Sequence, residues 1–186
     1  MKIFIKNMVS ARCKMLVKSE LDKLDVGYKN IDLGEIQLTN ELSLVHREAL
    51  NAAFKESGLE ILETKKSILI ESIKNVIIKM IHYSEELPSE NYSSIISKKL
   101  NHNYTYLANV FSESENLTIE HFIISHKIEK VKELLLYNEL NITEISYKMH
   151  YSSVAHLSNQ FKKVTGKTPT YFKNKTHRRK YLENVN

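Results

Sequence analysis

Two stretches of this 186-residue chain hold side chains whose types and spacing suit a definite chemistry. The first is NMVSARC, Asn7 to Cys13. It offers one thiol, Cys13, with the Ser10 hydroxyl three residues before it and the Met8 thioether beyond. Two thiolates at that spacing grip a soft ion such as Cu(I), whereas a hydroxyl is hard and rarely ionised. The metal loop Met8, Ser10, Cys13 is therefore vestigial: no metal is expected there, and Cys13 reads as a small packing residue at a helix start. The second stretch is MHYSSVAHLSNQFKKVTGKTPTYF, Met149 to Phe172. On a helix over 153–165, Leu157, Phe161 and Val164 fall within about 60° of one another and make a buried stripe. Ala155 and Asn159 point away from it, flanked by Ser158, Lys162 and Lys163. Ser152 or Ser153 caps the helix start, where free N–H groups suit a phosphate. Short outward side chains let a helix sink into a DNA major groove. Asn and Ser can then read base edges while Lys holds phosphates.

The elements that position this helix repeat. A short helix, a turn and a second helix are expected at 92–100 and 104–112, and again at 142–149 and 153–165. A long helix over 119–137 lies between the copies. In the first copy Leu107, Val110 and Phe111 form the buried set, Asn103 is the natural cap, and Thr105, Ala108 and Asn109 face away. The two second helices thus share one kind of inside and one kind of outside. A helix over 65–83 precedes them, then a polar connection containing Pro88. A last helix is expected at 170–175. The first 64 residues alternate patterns instead: strands at 2–6, 28–33, 35–39 and 59–63, and helices at 12–24 and 43–57, with Ser43 as cap and Gly58 as stop. That order, β-α-β-β-α-β, is the split-βαβ or ferredoxin-like arrangement. The fold class is thus an α+β domain over 1–64 followed by an all-α domain over 65–186.

The second stretch resembles the signature of AraC-type transcription regulators. The residues that carry the likeness are Ile145 and Ser146 on the first helix, Tyr151 after the turn, and Phe161, Lys162, Lys163, Gly166, Thr168 and Pro169. Tyr104 to Phe111 is similar to the family's first recognition helix, and His121 to Leu135 to its linker helix. The family usually has glycine at His150 and an apolar residue at His102. Many members carry Arg near Asn109 and Asn159, where Asn favours adenine. The resemblance implies double-stranded DNA as partner, two recognition helices in successive major grooves, and activation through RNA polymerase. The implied contact residues are Asn103, Thr105, Ala108, Asn109, Ser153, Ala155, Ser158, Asn159, Lys162 and Lys163. The Asn7–Cys13 loop, between the first strand and first helix, resembles a degenerate heavy-metal-associated domain.

Bulk properties agree with that reading. Residues 1–64 carry 9 basic and 10 acidic side chains, net −1; residues 65–186 carry 18 and 12, net +6. From Leu140 onward 9 basic residues face only Glu144 and Glu183, net +7, which favours a polyanion. Apolar residues at 42% suffice for a core, and 4 Gly with 2 Pro suit a helix-rich chain. One cysteine excludes an internal disulfide and fits a reducing cytoplasm. No apolar run is long enough to span a membrane, and the start lacks a secretory apolar region. No H-E-x-x-H, Walker or G-x-S-x-G motif appears, so no enzyme and no cofactor is expected. The rival reading is a metal-handling or protein-interaction module whose helical half docks a protein.

Overall fold

The computed structural model describes residues 1–84, 87–88 and 90–174. A small antiparallel sheet with two helices comes first, and a helical region follows. The elements are β1 (Lys2–Lys6), α1 (Ala11–Lys23), β2 (Tyr28–Asp32), β3 (Glu35–Leu38), α2 (Leu44–Glu56), β4 (Glu60–Leu62), α3 (Lys65–His82), α4 (Tyr92–Leu100), α5 (Tyr104–Glu115), α6 (Ile119–Tyr137), α7 (Ile142–Lys148) and α8 (Val154–Thr165). Residues 169–174 are helical as well. Parts of the expected connection after α3, and the last residue of the expected final helix, lie outside the described residues.

The chain divides into two compact units, residues 1–78 with 93–114 and residues 79–92 with 115–186. In the first, the strands pair in the order β2-β3-β1-β4, every pair antiparallel. Alternation along the strands puts Ile3, Ile5, Ile36, Leu38 and Ile61 on one face. They form one core with Val17 and Leu21 of α1 and Leu50 and Phe54 of α2. The same unit holds the start of α3. Its Glu71, buried, accepts a hydrogen bond from the Asn7 amide at 2.9 Å. A Cβ on Gly34, at φ +75°, would lie 1.8 Å from the Asn75 side chain, so only glycine fits that hairpin turn. The unit also contains nearly all of α4 and α5.

Few glycines are available to close helices, and asparagine replaces them. Asn101 follows α4, Asn116 follows α5 and Asn138 caps α6, all at positive φ. Asparagine tolerates this left-handed conformation better than other residues with a Cβ.

In the second unit the core of α6, α7 and α8 gathers Ile128, Val131, Leu135, Ile145, Leu157 and Phe161. His82 and His126 meet there, with His82 Nε2 3.1 Å from His126 Nδ1 and the Phe122 ring 4.4 Å from that of His126. Burial lowers the pKa of both imidazoles. At His82 the Lys130 charge lowers it further, against Glu133 and Glu129; at His126 the His82 ring does so, against Glu129. The folded values thus lie below the ordinary 6.5, and the folded state binds fewer protons than the unfolded one. The contribution of the pair is full above 6.5 and is lost as pH falls from there toward the folded values. Thermal melts at about pH 7.5 and about pH 5.5 should show the acid sample less stable. His126→Gln should narrow that gap; an unchanged gap would remove the pair as its cause.

Candidate nucleic-acid interface

Both helix pairs are built alike. Ile96 of α4 and Ile145 of α7 are fully buried, as are Leu107 and Phe111 of α5 and Leu157 and Phe161 of α8. By these anchors Asn103 corresponds to Ser153 and Asn109 to Asn159, and the second turn, residues 149–153, is two residues longer than the first, residues 101–103. That second turn carries the missing glycine. His150 adopts φ +52°, a conformation that costs a residue with a Cβ of order 1–2 kcal/mol. Backbone bonds from His150 N–H to Tyr147 and from Tyr151 N–H to Ser146 hold it, at 2.9 and 3.0 Å.

Each second helix opens on a side-chain cap. Asn103 Oδ1 accepts from the Thr105 amide at 2.8 Å, and Ser153 Oγ from the His156 amide at 3.0 Å. Both groups are engaged by their own helix, although both residues are exposed. Gly166 closes α8 at φ +75°, its N–H bonded to the Lys162 carbonyl.

Thr105 and Asn109 of α5, and Ala155, Asn159, Lys162 and Lys163 of α8, are exposed. Ala108, expected to face away from the core, is half-buried, as is Ser158 on the flank of α8, because each follows the buried leucine by one residue and so lies about 100° from it, on the border of the core. Val164, expected in the buried stripe, is 43% exposed. It sits in the last turn of α8, and the ring packed on Phe161 there is Phe172, with centroids 5.8 Å apart. Val110 is likewise only half-buried.

Periodicity alone missed three further side chains. Tyr106 and His156 are exposed on the flank of α5 and α8. Lys127 of α6 holds its ammonium 4.4 Å from the centre of the Tyr151 ring. Burial pushes the Lys127 pKa down to about 8. Burial, together with nearby Tyr92, pushes the Tyr151 phenol up to about 12.

The other candidate site changes character. Met8 is fully buried in the sheet core and cannot offer its sulfur to an ion. Ser10 is the cap of α1: its hydroxyl accepts from the Cys13 amide at 3.3 Å and lies 3.2 Å from Cys13 Sγ. Burial raises the Cys13 pKa, but hydrogen bonds from the Ser10 side chain and from the backbone of Ser10, Val9 and Cys13 outweigh it, and the net shift is downward. Among the described residues no group of three His, Cys, Asp or Glu side chains is placed to hold a metal ion. Among them, too, no helix is long and apolar enough to cross a membrane.

Residues 96–175 match the family described as a helix-turn-helix domain. The chain is similar to the Msm operon regulatory protein of Streptococcus mutans, 32% identical over 136 residues, 72% of this chain and 48% of that protein. It is also similar to an uncharacterized helix-turn-helix-type transcriptional regulator of Bacillus subtilis, 26% identical over 53% of this chain and 12% of that protein. The chain thus spans about half the length of the first relative and much less of the second. Among solved structures it resembles the C-terminal domain of AraT, a response regulator from Geobacillus stearothermophilus, with a TM-score of 0.51 and 25% identity over 60% of this chain and 88% of that one.

Proposed function

We propose that this chain is a sequence-specific DNA-binding transcription regulator, whose partner is double-stranded DNA and whose reading helices are α5 and α8. The observation that carries the reading is the repeat itself. Two helices with the same buried Leu and Phe present the same exposed Asn, Asn109 and Asn159, behind a capped start. In a major groove that Asn bonds an adenine edge, and the exposed Lys162 and Lys163 neutralise phosphates. The net +7 from Leu140 onward and the regulators among its relatives support it. Activation through RNA polymerase rests on the family resemblance alone, and a cytoplasmic location on that resemblance and the single cysteine.

The first 64 residues we read as a separate ferredoxin-like domain related to heavy-metal-associated domains, with the boundary before α3. The strand order β2-β3-β1-β4 and the element order support the fold. With Met8 buried and serine at position 10, the reading carries no metal.

Selection from a random duplex pool with the whole chain tests the function. Enrichment of a defined site is expected, with affinity falling steeply as salt rises because phosphate contacts release counterions. A pool left unenriched at low salt, or binding indifferent to salt, would rule the reading out.

A further inference from the structure

Each reading helix carries a ring one residue before its buried leucine: Tyr106 before Leu107 and His156 before Leu157. Both rings are exposed, and both lean on the turn that precedes their helix. Tyr106 lies 5.5 Å from the His102 ring. His156 stands edge-on to the Tyr151 ring at 5.2 Å, and its Nδ1 is 3.0 Å from the Ser152 hydroxyl oxygen. Tyr151 is itself buried beneath the Lys127 ammonium. The turn therefore holds the His156 ring on two sides and engages Nδ1, which leaves Nε2 as the second polar atom of an exposed ring. His156 also precedes Asn159 by three residues, which makes the two neighbours on the helix surface. A side chain fixed before binding loses less rotamer freedom on binding, and its contact discriminates better.

We propose that His156 is a specificity-determining residue of α8, positioned by Ser152 so that Nε2 meets a base edge beside the base read by Asn159. This rests on the reading of α8 as a groove helix and adds a reader that the small-and-polar pattern does not contain. Ser152 acts through His156 and is a positioning residue.

The test uses the whole chain, random duplex selection, and the variants His156→Ala and Ser152→Ala, with thermal melts to verify folding. His156→Ala should lose preference at one base pair by about tenfold, next to the pair sensitive to Asn159→Ala, and keep its affinity for unrelated duplex. Ser152→Ala should weaken preference at that same pair by less. Wild-type selection with an identical site for His156→Ala would overturn the inference and leave the reading of α8 standing. So would a uniform loss across all duplexes. Failure of the wild type to select any site would overturn both. If Ser152→Ala leaves that pair untouched while His156→Ala does not, the positioning role is wrong.

Discussion

Phe161→Ala is expected to cost the second unit about 3–5 kcal/mol. The ring is fully buried, and the Phe172 ring lies edge-on to it at 5.8 Å. Removing it deletes apolar area and leaves a cavity that the surrounding helices fill only in part. A small unit holds total stability of the same order as this loss, so much of the fold of α7 and α8 should go with the ring. Val164→Ala is the internal comparison. It lies on the same side of the helical wheel but is 43% exposed, so its replacement should stay within about 0.5 kcal/mol. Chemical denaturation of both variants separates the cases. Equal costs would mean that Val164 is buried after all and that the exposed end of α8 is wrongly placed.

Asn159→Ala and Asn109→Ala should each relax base choice by about 1–3 kcal/mol at one position and leave the fold intact. Both side chains are exposed, so little packing is lost. A bidentate amide contact satisfies two groups on an adenine edge, and alanine leaves both without a partner. Lys163→Ala acts differently. Its ammonium is exposed and reads no base, so its loss should weaken all duplexes alike and lower the salt slope by about one. Anisotropy titrations on the selected site and on single-base variants distinguish the two behaviours. Base preference unchanged by both Asn substitutions would show that α5 and α8 present another face to DNA.

The amino-acid sequence by itself determined the local features of this protein. Ser43 caps α2, Gly166 closes α8, and the strand over Lys2–Lys6 ends where its β-branched run ends. The paired helices, and the buried Leu and Phe of each, were legible because helical period and caps act over only a few residues. Tertiary structure decided what depends on distant chain. Periodicity puts Val164 in line with Leu157, but at the last turn Phe172 returns and packs on Phe161 instead. Met8 reads as a metal-loop residue until the sheet closes over it and makes it core. The bond from Asn7 to Glu71 and the contact of His82 with His126 join residues 64 and 44 positions apart. No local pattern specifies such pairs, because the path of the backbone fixes which faces meet, and burial then sets the protonation of the groups trapped there.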